Sequence, residues 1–160
     1  MPDLLIFRPA NPNDVDQIVE MIHELADYEQ LTHELELTPE KLSHSLFVEK
    51  SAQVILACLN ETIIGYAVLC KHFSTFKGES GIYLDDLYIK TSYRSKGYGK
   101  QLFQYVVNFV SDAGHPRLEW LCLDWNQNSI DFYLKHGAEQ LKDYTMYRLE
   151  GEKLNQRKKK

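Results

Sequence analysis

The chain carries at residues 83–100 the sequence YLDDLYIKTSYRSKGYGK, which decides its fold. The apolar run at residues 82–89 predicts a β-strand, and the apolar spacing over residues 99–113 predicts one face of a helix. Glycines at positions 97 and 99 let the backbone approach an anion closely, and the free amides and dipole of a helix N-terminus favour a pyrophosphate. Positive charge is added there by three basic side chains, Arg94, Lys96 and Lys100.

Two other glycine motifs are excluded by single residues. A Walker A loop needs Ser or Thr after its lysine, but Gln101 follows Lys100. A dinucleotide-binding fingerprint needs Gly or Ala where Leu102 stands. The loop alone therefore predicts a phosphate-bearing ligand, while a glycine turn that merely joins strand to helix stays open as the alternative.

Hydrophobic periodicity and turn signals predict three more helices and five more strands. The helices are expected after a cap at Asn13, over residues 39–47 after a Thr38 cap, and over residues 129–136. The strands are expected at residues 4–8, 53–59, 62–70, 117–123 and 145–149. This order predicts an α+β fold with a single mixed, mostly antiparallel sheet flanked by helices.

The length and the charge of the chain limit its domain organisation and its possible binding partners. A chain of 160 residues that is 44% hydrophobic predicts one domain over residues 1–152, followed by a basic, disordered tail at 153–160. The net charge is −5, and it becomes −9 without the four basic residues at 157–160. Such a body repels nucleic acid and attracts a small cationic amine, although ordinary solubility also explains the charge.

Several classes of protein are disfavoured by the sequence. No apolar run approaches the ~20 residues of a membrane span, and the N-terminus lacks the pattern of a secretory signal. The three cysteines are widely spaced and the six histidines have no metal-ligand spacing. We therefore expect a cytoplasmic protein with reduced thiols, no membrane contact and no metal.

The pattern Arg-x-x-Gly-x-Gly at residues 94–99, after YLDDLYI at residues 83–89, resembles the GNAT superfamily of N-acetyltransferases. The match continues through Trp125-Asn126, the sequence SIDFY at residues 129–133, and Gly137-Ala138. Within the superfamily the chain looks most like the diamine (spermidine/spermine) acetyltransferases and their thialysine-acetylating relatives. The resemblance covers nearly the whole chain and implies the GNAT fold, acetyl-CoA as co-substrate and a homodimer.

The resemblance also implies which residues bind the co-substrate. The backbone of Leu87, Tyr88 and Ile89 would bind the pantetheine arm and the thioester carbonyl. Asn126 and Ser129 match positions that touch the co-substrate in the family. The pyrophosphate would lie against Arg94, Ser95, Lys96, Gly97, Tyr98, Gly99 and Lys100.

The residue roles in catalysis and in binding of the acceptor amine are assigned partly from the chemistry of the reaction and partly from the resemblance. A primary amine with a pKa near 10.4 is almost wholly protonated at pH 7, so it must lose a proton before it attacks a thioester. Asp85 occupies the position of a glutamate in the polyamine branch and would assist through water, with Asp86 helping to hold the cation. By resemblance, Tyr133 would protonate the departing thiolate, and Tyr28 and Glu29 would lie on the substrate side.

Each assignment has an ordinary alternative. Asp86 could be a salt-bridge acid, Tyr133 an amphipathic helix residue, and Tyr28 with Glu29 a solvated helix end. For the whole protein, acetylation of a protein lysine or N-terminus remains an alternative to a small amine. A CoA-binding regulatory module without catalysis is a third reading, because Asp85 replaces the family's glutamate.

Overall fold

The computed structural model describes residues 2–156 of the chain. Its contacts divide the chain into two units, a first unit that ends at Leu121 and a second unit that begins at Cys122. Residues 157–160, which make up half of the predicted basic tail, lie outside the described residues.

The first unit contains a five-stranded sheet whose strands follow one another in chain order. The three pairings among β1 to β4 are antiparallel and the β4–β5 pairing is parallel. The prediction of one mixed, mostly antiparallel sheet is confirmed. The strands are β1 (Leu5–Pro9), β2 (Gln53–Leu59), β3 (Thr62–Ser74), β4 (Glu79–Ile89) and β5 (Leu118–Glu119).

Three α-helices accompany this sheet, namely α1 (Val15–Tyr28), α2 (Pro39–Ser43) and α3 (Tyr98–Asp112). Thr38 caps α2 as predicted, because its side chain accepts a hydrogen bond from the Lys41 amide at 3.1 Å. The chain then continues as one π-helical turn, His44–Val48.

The predicted cap at Asn13 is wrong. Asn11 is the capping residue, and its side chain accepts a hydrogen bond from the Asn13 amide at 2.9 Å. It opens a 3₁₀ turn, Pro12–Asp14, that precedes α1. The buried Asp14 carboxylate fixes this turn because it accepts hydrogen bonds from the Arg8 guanidinium at 2.8 and 2.9 Å.

The core lies on both faces of the central strands. Along β2 every residue after Gln53 is buried, which is typical of a strand covered on both sides. From α1, Ile18 and Met21 pack against one group of β2 and β3 side chains and are fully buried. The other long helix, α3, contacts β3 and β4 and buries Leu102 and Val106 completely.

Two predicted strands differ from the structure. Residues 117–123 pair with β4 only at Leu118–Glu119. No strand is assigned at residues 145–149 within the described part of the chain, so that prediction is wrong. An apolar run becomes a strand only where a partner completes its backbone hydrogen bonds. Here Met146, Tyr147 and Leu149 are all well exposed, Tyr147 by 91%.

The second unit contains helix α4 (Gln127–Lys135). It begins two residues before the predicted position. It ends at Lys135, one residue before the predicted end. Gly137, just beyond, has a φ of 92°, a left-handed conformation that glycine adopts without strain.

Close approach of β3 to β4 depends on Gly65. This residue lies opposite Ile89 in the antiparallel pair. A Cβ atom at Gly65 would lie 2.4 Å from the Tyr88 carbonyl oxygen and 2.6 Å from Ile89 Cδ1. Only glycine therefore allows this pairing at the end of β4.

We expect Gly65→Ala to lower the free energy of unfolding by ~1–3 kcal/mol, because the added methyl group forces the two strands apart. Gly99→Ala is the matched control. Its Cβ would lie 3.8 Å from Ile89 Cγ1, an ordinary contact, so its effect should stay within ~1 kcal/mol. Urea denaturation measures both variants, and equal stabilities would contradict the assignment.

Candidate functional site

A β-bulge at Asp85 organises the site. Asp86 pairs with Val68, but the next pair joins Leu84 to Leu69, so Asp85 has no cross-strand partner. An extra residue of this kind bends the strand and changes the side-chain alternation at that point. The bulge explains how two consecutive acids are accommodated in a strand.

The buried tyrosine Tyr66 holds Asp86. Its hydroxyl donates a hydrogen bond to Asp86 Oδ2 at 3.1 Å, and the tyrosine has no solvent exposure. Burial, with the nearby charge of Asp85 as a smaller cause, raises the pKa of Asp86 to about 7. The hydrogen bond from Tyr66 acts in the opposite direction and lowers this pKa. Asp86 therefore changes its charge near neutral pH.

Two further carboxyl groups lie within electrostatic reach. Asp85 is more exposed than Asp86, yet partial removal from water still raises its pKa. Glu29 follows directly after α1, and burial together with the charge of Asp85 raises the pKa of Glu29. The structure thus brings together three of the predicted acceptor residues, and a cation bound near them would relieve their mutual repulsion.

Tyr28, the fourth predicted acceptor residue, has a different neighbour. Its ring is 38% exposed and faces the guanidinium of Arg94 at 4.8 Å. Tyr66, by contrast, was not singled out from the sequence. It lies 20 positions before Asp86, and only the register of β3 against the bulged β4 places the two together.

Beyond the bulge, one edge of β4 has no strand partner among the described residues of the first unit. Strand β5 pairs with β4 only opposite Ile82 and Tyr83. Within the first unit, the described residues give Leu87, Tyr88 and Ile89 no strand partner on that edge. An unpaired edge presents backbone donors and acceptors that an extended polar ligand could satisfy.

The turn before α3 has the geometry of an anion site. Ser95 and Gly97 both have positive φ values, 63° and 85°. The first bond of the helix runs from the Gln101 amide to the Gly97 carbonyl at 3.1 Å. The preceding amides at residues 98–100 therefore have no acceptor within the helix, and no side chain of the described residues caps this end at Gly97. Such amides bind phosphate oxygens.

The second unit holds the remaining predicted residues. Asn126 is buried and caps α4 by accepting a hydrogen bond from the Ser129 amide at 3.3 Å. Tyr133 lies one turn further along α4, is half-buried, and contacts Phe132 with ring centroids 5.5 Å apart. The structure brings Asn126 and Ser129 together, and the roles of all three residues stay predictions.

Residues 2–156 contain no cluster of three or more side chains suited to hold a metal ion. The helices in this part of the chain are too short or too polar to cross a bilayer.

The chain is similar to known proteins that belong to one enzyme family. Residues 17–138 match the acetyltransferase (GNAT) family. The chain is similar to thialysine N-epsilon-acetyltransferase from Bos taurus, with 31% identity over 164 residues that cover 95% of this chain and 96% of that protein. It is also similar to L-ornithine N5-acetyltransferase NATA1 from Arabidopsis thaliana, with 26% identity over 193 residues, 92% of this chain and 85% of the relative.

A solved structure is similar over nearly the whole chain. The integron cassette protein VCH_CASS6 from the mobile metagenome of V. cholerae superposes with a TM-score of 0.79. It is 25% identical in sequence, and the match covers 98% of both chains.

The raised pKa of the half-buried Asp86 makes the stability of the fold depend on pH. The folded state keeps a proton on Asp86 up to about pH 7, whereas an unfolded chain releases it near a pKa of about 3.9. Relative to Asp86→Asn, the wild type should therefore lose free energy of unfolding as pH rises from about 4 to 7, by at most ~1.4 kcal/mol per pH unit. Urea denaturation at several pH values measures this difference.

Tyr66→Phe provides the second arm of that test. It removes the hydrogen bond that lowers the pKa of Asp86, so the loss of stability should extend to higher pH. A difference between wild type and Asp86→Asn that stays constant with pH would contradict the assignment.

Proposed function

Because the chain belongs to the GNAT family of acetyl-CoA-dependent N-acetyltransferases, we propose that it acetylates the primary amine of a small polyamine, diamine or thialysine-like amino acid. The observation that supports this acceptor class is the group of carboxyl side chains at the bulge, Glu29, Asp85 and Asp86. The relatives named above act on thialysine and L-ornithine, two small amino acids with a side-chain amine.

The carboxyl group of Asp86 and its neighbours would select a cation. An ammonium group is attracted to partly shielded carboxylates more strongly than in bulk water, because the effective dielectric constant is lower. Binding of the cation would in turn favour the charged form of Asp86 and lower its pKa. A neutral or anionic acceptor would leave the repulsion between the acids uncompensated.

Removal of the amine's proton is the step that the chain must assist. Asp85 is solvent-accessible, and its raised pKa makes it a better proton acceptor than an ordinary aspartate. We assign it the role of accepting the proton through a water molecule. Asp86, which is held by Tyr66, would keep the cation in place.

The edge of β4 beyond the bulge and the amides in the first turn of α3 fit acetyl-CoA. Bound there, acetyl-CoA supplies an activated acetyl thioester. Residues 87–89 would bind its pantetheine arm and stabilise negative charge on the thioester oxygen through their amides. The amides at residues 98–100, aided by the exposed side chains of Lys96 and Lys100, would hold the pyrophosphate.

The remaining roles rest on the family resemblance. Asn126 and Ser129 would contact acetyl-CoA, and Tyr133 would act as the general acid that protonates the departing thiolate. Direct attack by the amine needs no acyl group on the enzyme, so we assign Cys122 no nucleophilic role.

The phosphate site is tested by a matched pair of glycines at the two ends of α3. Gly97 and Gly114 have φ values of 85° and 81°, and a Cβ at either would have no neighbour within 4 Å. Alanine should therefore cost each variant a similar ~1–2 kcal/mol of stability. Only Gly97→Ala should also weaken coenzyme A binding, by roughly tenfold, because strain at the turn displaces the amides.

Titration calorimetry with coenzyme A measures this difference. A dissociation constant that is unchanged in Gly97→Ala would remove the turn from the binding site. An equal loss in Gly114→Ala would show that the effect is not local.

The acceptor class is tested by measuring coenzyme A release with spermidine, diaminopropane, thialysine and lysine. We expect turnover with at least one of them, and a fall of about a hundredfold or more in Tyr133→Phe with unchanged acetyl-CoA binding. Silence with every small amine, together with acetylated proteins detected by mass spectrometry, would favour a protein acceptor instead. Unchanged turnover in Tyr133→Phe would exclude that residue from the mechanism.

A further inference from the structure

The guanidinium of Arg94 lies between two tyrosine rings. Its Cζ atom is 4.8 Å from the ring centroid of Tyr28 at the end of α1 and 5.2 Å from that of Tyr88 in β4. Its Nε donates a hydrogen bond to the Ile89 carbonyl at 2.9 Å. The side chain is half-buried. Contacts of this kind, between a shielded cation and aromatic faces, are attractive.

The second ring is itself fixed to α1. The Tyr88 hydroxyl donates a hydrogen bond to Glu24 Oε2 at 2.8 Å, and Glu24 Oε1 lies 3.8 Å from Lys90 Nζ. Burial and the bond to Glu24 raise the pKa of Tyr88 to about 12, so its hydroxyl remains a donor. We call Arg94, Tyr28, Tyr88 and Glu24 together the arginine clamp.

The clamp joins the two halves of the proposed reaction site. Tyr28 directly precedes Glu29, one of the carboxyl groups proposed to bind the amine. Ile89 ends the strand segment proposed to bind the thioester arm. A single side chain therefore contacts Tyr28, next to the acceptor end, and Ile89, at the donor end, and its Nε donor is already used by the Ile89 carbonyl.

We infer that Arg94 is a positioning residue that holds the Ile89 carbonyl and the Tyr28 ring in place, and not a ligand of the pyrophosphate. The inference rests on the proposed amine acetylation. It differs from the expectation drawn from the sequence, in which Arg94 supplied positive charge to the phosphate. Arginine is required for this role, because its planar guanidinium can face aromatic rings while its Nε donates to a carbonyl, whereas a lysine ammonium is a point charge without such a plane.

The test compares two acetyl donors, acetyl-CoA and acetyl-pantetheine, which lacks the pyrophosphate. Arg94→Gln and Arg94→Lys should each lower kcat/KM roughly tenfold, and by the same factor with both donors, since the lost contacts are not to phosphate. Lys100→Gln is the comparison variant for a phosphate contact. Lys100→Gln should lower kcat/KM with acetyl-CoA and leave kcat/KM with acetyl-pantetheine unchanged.

Tyr28 supplies an independent arm, because its ring is partly exposed and its replacement leaves the core intact. Tyr28→Leu should lower kcat/KM with both donors, and Tyr28→Phe should recover most of that loss because it keeps the ring. The double variant Tyr28→Leu/Arg94→Gln should be little worse than Arg94→Gln alone, since both changes remove one interaction. If the losses of kcat/KM in the two single variants instead add up in the double variant, the inference is overturned.

Two other results would also overturn it: a loss in Arg94→Gln that is confined to acetyl-CoA, or an Arg94→Lys variant as active as the wild type. If the wild type acetylates no small amine, the proposed acceptor class is wrong, but the role of the arginine clamp can still be tested. The same comparison is then made on the dissociation constants of coenzyme A and pantetheine. If Arg94→Gln raises the dissociation constants of the two compounds by the same factor, the clamp is supported. If only the dissociation constant of coenzyme A rises, the clamp is refuted.

Discussion

The bulge in β4 is the constraint on which the site depends. By admitting Asp85 without a cross-strand partner, it accommodates two consecutive acids near a buried tyrosine. It also bends the strand, and the parallel pairing with β5 extends only over Ile82 and Tyr83. The segment beyond, which has no strand partner on this edge within the described first unit, leads directly to the turn before α3. A regular strand at this position would point one acid to each face of the sheet.

This arrangement has an electrostatic cost that the rest of the unit must offset. Partial withdrawal from water raises the pKa of Asp85 and of Asp86, and at Asp86, where the charge of Asp85 adds a smaller effect, the pKa reaches about 7. Such sites are tolerated where the surrounding packing fixes the backbone conformation. Here the close contact of Gly65 with the end of β4 helps to fix it. Groups whose charge is poised near neutrality are typical of sites that bind ions or move protons. The same feature therefore weakens the fold and equips it for chemistry.

Local patterns in the sequence were sufficient to predict most helices and strands of the first unit and the glycine turn before α3. These patterns failed where contacts between residues far apart in the sequence select one of several equally favourable local structures. Asn11 and Asn13 are equivalent capping residues, and the buried Asp14 carboxylate determines which one caps. The run at residues 145–149 has the pattern of a strand but no partner. The contact of Tyr66 with Asp86 depends on a register shift, which spacing along the chain does not record.

The order of strands in the sheet has a consequence for how the chain folds. Strands β2, β3 and β4 are neighbours both in sequence and in space, so each pairing closes only a short loop. Pairing of β1 with β2 instead joins Leu5 to Leu59 and must enclose α1 and α2. Because closing a long loop costs more entropy, we expect the three-stranded meander to nucleate first. The N-terminal strand would then add late, onto a template that already contains the bulge.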